Sequence, residues 1–333
     1  MTWTSKEIHL ATRPTGYPDG DTWSLVSAEV QDPAEGEFVV EVDHISLDPA
    51  MRGWLNDVRS YVPPVKVGEA MRALATGTVV ASAHAGFVVG DAVVGTFGVV
   101  EYAKSNGRGV TRLDLDVAGA PTWLGALGMP GMTAYFGLND IGRLQPGETI
   151  VVSAAAGAVG SVVAQLAKAM GCRVIGIAGG PDKVAWLKEI GLDEAIDYKS
   201  ESVHKRLRAL APDGIDVYFD NVGGEILDAA LANLRRGARI VLCGAISSYN
   251  DETLAEGPRR YMSLLVFRAT MAGFVVFDYE DRYPEAVAAL SKMVADGSLV
   301  ARETVLDGGV EGFPEALLGL YDGVNTGKLV LKV

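Results

Sequence analysis

The stretch Val151-Val152-Ser153-Ala154-Ala155-Ala156-Gly157-Ala158-Val159-Gly160-Ser161 decides the fold of this 333-residue chain. A β-branched run ends in a turn of small residues, and an alanine-rich apolar segment follows. A dinucleotide-binding strand–turn–helix unit needs that order. The strand must stop, the backbone must approach a pyrophosphate, and the helix must begin with N–H groups aimed at it. Gly157 and Gly160 leave room for the approach, while Ala154, Ala155 and Ala156 stand where the commoner fingerprint has its first glycine. A two-glycine motif reads equally well, by itself, as an ordinary tight turn. Its neighbours favour the nucleotide reading. Residues 150–152 read as a strand after the turn-like Gln145-Pro146-Gly147-Glu148, and 162–170 read as a helix closed by Gly171. A second strand at 173–178 ends about twenty residues past the glycines, where the adenosine ribose belongs.

The end of that second strand separates two cofactors. A site for NAD carries Asp or Glu there, accepting from the ribose 2′-hydroxyl. Here the chain reads Ala178-Gly179-Gly180-Pro181-Asp182-Lys183. No carboxylate stands in the first three positions to repel a 2′-phosphate, and Lys183 opens the next helix as a countercharge, so NADP(H) is the expected cofactor. Asp182 reads as a helix N-cap after Pro181. The competing reading of Lys183 is a solvated surface lysine.

At 333 residues the chain is long for one domain and comfortable for two, and 49% hydrophobic content supplies a large core. Lys and Arg number 29 against 42 Asp and Glu, a formal net charge of −13. That balance argues against nucleic acid or an anionic membrane as a main partner. The two cysteines, Cys172 and Cys243, read as buried free thiols of a reducing cytoplasm. The first ten residues lack the apolar core of a signal peptide, and no run reaches the ~18 apolar residues of a membrane span.

The first 120 or so residues are β-rich. Runs at 37–42, 77–82 and 92–97 alternate as short strands with Gly, Pro and Asp between them, which suggests a barrel-like lobe. The pattern then changes. Strands are expected at 149–152, 173–178, 194–197, 217–221 and 239–244, with helices at 162–170, 183–190 and 226–234. This alternation predicts a doubly wound parallel sheet. The tail at 327–333 reads as an edge strand.

A β-rich lobe joined to such a domain resembles the medium-chain dehydrogenase/reductase superfamily. Six ordered segments narrow the resemblance. They are Leu47-Asp48-Pro49-Ala50-Met51-Arg52-Gly53, Tyr61-Val62-Pro63-Pro64-Val65, the glycine turn, Phe219-Asp220-Asn221-Val222-Gly223-Gly224, Cys243-Gly244-Ala245-Ile246-Ser247 and Asn325-Thr326-Gly327-Lys328. Together they are similar to the zinc-independent leukotriene B4 dehydrogenase/prostaglandin reductase group, which includes bacterial curcumin-reductase-like enzymes and plant alkenal double-bond reductases. The resemblance implies an α/β fold: a GroES-like catalytic lobe from 1–122 and 300–333, around a Rossmann domain at 123–299. It also implies NADPH-dependent reduction of an activated carbon–carbon double bond, and a homodimer; a strand at 273–277 reads either as the pairing strand of that dimer or as an internal edge.

The resemblance carries residues over segment by segment. Gly157, Ala158, Val159 and Gly160 would hold the pyrophosphate. Gly179, Lys183 and Tyr198 would contact the 2′-phosphate and adenine ribose. Asn221, the run Cys243, Gly244, Ala245, Ile246, Ser247 and Tyr249, and Phe274, Val275 and Val276 would line the cofactor, with Asn325 near the nicotinamide.

Zinc is not expected. The position resembling Gly-His-Glu of zinc enzymes reads Val67-Gly68-Glu69, and His9, His44, His84 and His204 have no ligand spacing. Reduction of an enone then relies on hydroxyl donors to stabilise the enolate that forms after hydride delivery to the β-carbon. Better-known relatives carry tyrosines where this chain has Ala50 and Val266. Tyr61 and Tyr261 become the candidate catalytic donors. Met51, Arg52 and Tyr249 join them as candidate substrate contacts. Each tyrosine has a packing alternative, and Arg52 a structural ion pair. Trp54, Met71, Met262 and Phe274 read either as pocket lining or as core. Losing two tyrosines widens the expected pocket toward a medium to bulky apolar enone or enal. A carbonyl reductase, a zinc-free quinone reductase and a non-enzymatic nucleotide-binding protein remain the competing readings.

Overall fold

The computed structural model describes residues 2–253 and 256–333. The chain divides into two compact units. One runs to Leu124 and resumes over Glu303–Val333, and the other spans Gly125–Arg302.

The first unit opens with β1 (Thr2–Leu10) and β2 (Trp23–Gln31), paired antiparallel along their full lengths. Next come β3 (Phe38–Ser46), the short helix α1 (Met51–Trp54), β4 (Ala75–Ser82), β5 (Ala92–Gly95), β6 (Tyr102–Ser105) and β7 (Thr111–Arg112). β3 is the hub. Its Phe38-Val39-Val40 run is fully buried, and it pairs with both β4 and β6.

The second unit starts with α2 (Met129–Phe136) and then alternates strand and helix. The order is β8 (Thr149–Ser153), α3 (Ala158–Ala169), β9 (Arg173–Ala178), α4 (Pro181–Glu189), β10 (Glu194–Asp197), α5 (Val203–Leu210), β11 (Ile215–Asp220), α6 (Gly224–Leu231) and β12 (Leu234–Leu242). Two short elements, α7 (Ser263–Phe267) and β13 (Thr270–Gly273), precede α8 (Tyr283–Ala295). Among the described residues the six strands form one sheet in the order β10-β9-β8-β11-β12-β13, every pair parallel. Helices cover such strands on both faces, so they bury both sides. All of β11 is buried, and so is Ile150–Ser153 of β8. Chain order reverses between β8 and β11, and ligands of open α/β sheets bind outside the carboxyl ends of the strands at such a switch.

The chain returns to the first unit with β14 (Glu303–Asp307), α9 (Phe313–Asp322) and β15 (Lys328–Lys332). The tail is therefore not an edge strand: β15 lies between β14 and β3, and Lys328–Leu331 is buried. The run at 273–277 is not a continuous strand either. β13 stops at Gly273, and a 3-10 helix begins at Val276 because Val276 packs with Met132, Phe136 and Ala286. Among the described residues no helix is long and apolar enough to cross a membrane.

Candidate active site

The turn after β8 is built on Ala154, whose φ of +46° puts a non-glycine residue in the left-handed region. The Ala155 amide donates to the Ile177 carbonyl at 2.9 Å, tying the turn to β9. Gly157 caps α3 with extended backbone and no side-chain cap. The two glycines differ in what surrounds them. A Cβ on Gly157 would meet only the Ala154 carbonyl oxygen, at 3.2 Å. A Cβ on Gly160 would lie 2.3 Å from that oxygen and 2.8 Å from the Ala155 Cα. Gly160 therefore serves the close packing of α3 on its own turn. Ala158, Val159 and Gly160 form the first turn of α3.

The loop after β9 contains no carboxylate through Gly180. Gly180, at φ 96°, is the N-cap of α4, so Asp182 sits in the first turn and is not the expected cap. The nearby carboxylate is Asp197, at the end of β10. Its Oδ1 accepts from the Gly180 amide at 2.8 Å and the Lys199 amide at 3.0 Å, and its Oδ2 accepts from the Ser200 hydroxyl at 2.9 Å. The Gly180 hydrogen bond, above all, lowers the Asp197 pKa. The Tyr198 ring and the Lys199 stem lie over Gly179, where a Cβ would come within 2.8 and 3.0 Å of them. Lys183 is half-buried in the first turn of α4, and burial first, then the Lys199 charge, lowers its pKa.

A buried polar knot joins the ends of β8, β11 and β12. Asp220 is fully buried, and its Oδ1 accepts from the Ser153 hydroxyl at 3.0 Å, the Tyr218 hydroxyl at 2.8 Å and the Val222 and Gly223 amides at 3.1 and 3.0 Å. Its backbone carbonyl accepts from the Cys243 and Gly244 amides at 2.9 and 3.1 Å. Asn221 is fixed by the same frame: its amide donates to Ser153 Oγ at 2.8 Å and its Nδ2 to the Ser153 carbonyl at 2.7 Å. Burial raises the Asp220 pKa against the pull of these donors. Desolvation and the Asp220 charge push the Cys243 thiol up to about 12. The Cys243 residue is only partly covered, where full burial was expected, while Cys172 is buried. Beyond Cys243, the Ala245 amide donates to the Tyr249 hydroxyl at 3.1 Å, and Ser247 Oγ donates to the Val222 carbonyl at 2.6 Å. Ile246 begins a short 3-10 turn.

These contacts bring together the sequence-predicted segments around Ser153, Asn221 and 243–249. Ser153 and Asp220 themselves were not singled out. The available signal was a carboxylate and a hydroxyl closing two otherwise apolar strands. Elsewhere in this unit, the Phe274 ring fills the space beside Gly137, while Val275 carries extended backbone into the turn at Val276. Tyr261 and Met262 are exposed.

In the first unit, Met51 and Met71 lie in the core at no exposure, so Met71 is core and not pocket lining. Among the described residues Arg52 is buried without the expected ion pair. Its guanidinium donates to the Gly16 carbonyl at 2.8 Å, the Pro14 carbonyl at 3.2 Å and Asn56 Oδ1 at 2.7 Å. Asn325 is buried and donates from Nδ2 to the Gly327 carbonyl at 2.7 Å. The neighbouring Lys328 ammonium bonds Asp48 Oδ1 at 2.7 Å and the Leu47 carbonyl at 2.5 Å, joining the Asp-Pro-Ala-Met-Arg and Asn-Thr-Gly-Lys segments. Tyr61 is exposed, and Trp54 is partly buried against the core.

A family model described as the N-terminal domain of oxidoreductase matches residues 6–113, and one described as zinc-binding dehydrogenase matches residues 158–292. The NADPH-dependent curcumin reductase of Escherichia coli is 40% identical over 331 residues, covering 97% of this chain and 95% of that protein. The 2-alkenal reductase (NADP(+)-dependent) of Nicotiana tabacum is 39% identical over 337 residues, covering 99% and 97%. A crystal structure of CurA in complex with NADPH from Vibrio vulnificus is similar at TM-score 0.93 and 43% identity, covering 98% of this chain and 99% of that one. The chain belongs to the zinc-independent group of the medium-chain dehydrogenase/reductase family and is an NADP-dependent oxidoreductase. Among the described residues no group of three or more His, Cys, Asp or Glu side chains is placed to hold a metal ion.

The residues fit the cofactor. The parallel sheet offers its switch point, the turn before α3 has an uncapped helix start, and Gly179–Gly180 after β9 carry no carboxylate while Lys183 opens the helix that follows.

Proposed function

We propose that the protein reduces the carbon–carbon double bond of α,β-unsaturated ketones and aldehydes with NADPH. The observation that supports this most is the carboxylate-free loop after β9 beside a switch point framed by Ser153, Asp220 and Asn221. The relatives' printed reactions point the same way. NADPH supplies the hydride. The Gly157–Gly160 turn takes its pyrophosphate, Lys183, Tyr198 and Gly179 its adenosine end, and Asn221, 243–247, Tyr249 and 274–276 line the rest, with Asn325 at the nicotinamide. Asn221 is held from both its amide and its side chain, so it presents one fixed carbonyl oxygen and no conformational search.

The enolate oxygen needs a hydrogen-bond donor, and the phenols of Tyr61 and Tyr261 are the candidates for that role. The substrate is a medium to bulky apolar enone or enal, and the protein works as a cytoplasmic homodimer. Tyr61→Phe and Tyr261→Phe should each lower kcat about ten- to a thousandfold if the phenol is the donor. The test follows nicotinamide absorbance with NADPH and a size-graded enone panel, and identifies the product by mass. A strong preference for acrolein-sized enals sinks the substrate class. Quinone turnover without enone turnover replaces the reaction with a quinone reduction.

A further inference from the structure

We propose that Lys199 is a second cation for the 2′-phosphate of NADPH and helps set the preference for NADPH over NADH. The inference rests on the reading that the loop after β9 takes the adenosine end of the cofactor. It begins from Asp197. Three donors from three residues hold that carboxylate, at 2.8, 3.0 and 2.9 Å, and one of them, Gly180, belongs to the loop after β9. Asp197 therefore clamps the turn after β10 onto that loop, and its charge also acts on the Lys199 ammonium. The Tyr198 amide adds a bond to the Ala178 carbonyl at 3.1 Å.

The clamp decides where Lys199 goes. Its Cε lies 3.0 Å from the position a Cβ would take on Gly179, so the ammonium is one bond away from a carbon resting over the loop. Lys183 rises from the first turn of the helix that starts at the same loop. The two ammonium groups feel each other, since the Lys199 charge contributes to lowering the Lys183 pKa. Lys183 and Lys199 flank the Gly179–Gly180 loop, and while Asp197 offsets part of the Lys199 charge, a dianionic phosphate would gain from both ammonium groups. Lys199 is exposed, as a residue meeting a ligand from solvent must be. Gly179 is required here in a second sense: any side chain would displace both Tyr198 and Lys199.

The experiment titrates the full-length protein with 2′,5′-ADP and with 5′-AMP by calorimetry, for the native chain, Lys199→Met, Lys199→Arg and Lys183→Met. Steady-state kcat/KM ratios for NADPH and NADH accompany each. Loss of one charge-assisted contact is expected to weaken 2′,5′-ADP about tenfold in Lys199→Met while 5′-AMP stays within about twofold, and Lys199→Arg restores most of the loss. The NADPH/NADH ratio should fall by a similar factor, about tenfold. Lys199→Met binding 2′,5′-ADP like the native protein overturns the proposal. Equal affinity of the native chain for the two nucleotides overturns the reading of the loop and the proposal with it. Weakening in Lys199→Met but not in Lys183→Met supports Lys199 and removes Lys183 from the subsite.

Discussion

Replacing Gly160 by alanine should damage the fold, whereas the same change at Gly157 should damage only cofactor binding. The new Cβ at position 160 would sit 2.3 Å from the Ala154 carbonyl oxygen, 2.8 Å from the Ala155 Cα and 2.9 Å from the Ala154 carbonyl carbon. The closest approach is about 1 Å short of ordinary contact, and all three atoms are backbone. The turn has little slack to give, because Ala154 already occupies φ +46°. Alanine gains about 1 kcal/mol of helix propensity over glycine, but overpacking of this kind costs about 1–3 kcal/mol. With the backbone as the obstacle the upper end applies, leaving a net loss of about 1–2 kcal/mol. For a unit of this size that lowers Tm by roughly 2–8 °C. At Gly157 the added Cβ meets a single atom at 3.2 Å, in a backbone conformation any residue adopts. Gly157→Ala should therefore melt within about 1 °C of the native protein, yet lose roughly tenfold in NADPH affinity as the methyl enters the pyrophosphate face. Thermal melting without cofactor and fluorescence titration with NADPH measure both. Native-like melting of Gly160→Ala, or native NADPH affinity in Gly157→Ala, refutes the division of labour.

Two further predictions concern the polar knot and its neighbour. Asp220→Ala would strand the buried Ser153 and Tyr218 hydroxyls and two amides, and should cost about 3 kcal/mol or more in urea unfolding; a loss below about 1 kcal/mol would show that water replaces the carboxylate. The Cys243 thiol, raised from 9.0 to about 12, should carry on the order of a thousandfold less thiolate at pH 8 than an ordinary thiol. Its alkylation rate should climb through pH 10 without a plateau. Because the folded state holds this proton more tightly, the contribution to stability is complete below pH 9 and is lost as pH rises toward 12. A plateau in alkylation between pH 8 and 10 would contradict the burial argument.

Local pattern carried the parallel sheet. The strand at 173–178 coincides with β9 because it is a short, mostly apolar run bounded by turn residues, and the one at 194–197 coincides with β10, where Ala195 and Ile196 are buried between Glu194 and Asp197. What depends on distant partners was not legible. Only three of the nine β1 residues are buried, so its Thr-Trp-Thr-Ser-Lys-Glu sequence gives a weak signal that pairing with β2 completes. β12 begins at Leu234, well before the apolar run at 239–244, because Leu234 pairs with Ile215 across a register shift. The interior place of β15 depends on β14 and β3, which come from opposite ends of the chain. The same holds for the site. Gly157, Asn221 and Lys183 were visible as motif residues. Asp220 and Ser153 meet across 67 positions, and neither announces its partner in sequence. Propensity also misled: Phe274-Val275-Val276-Phe277 favours a strand, yet packing of Val276 against Phe136 turns the chain there.

The central claim is that hydride reaches carbon, at the β-position of a conjugated carbonyl, and not the carbonyl itself. The direct measurement is single-turnover reduction of a bulky aromatic enone by NADPH deuterated at nicotinamide C4, in both stereochemical forms, with the product analysed by mass and NMR. One form should deliver a single deuterium to the β-carbon of a saturated ketone. Deuterium on a carbinol carbon of an allylic alcohol, or no transfer from either form, would contradict the claim.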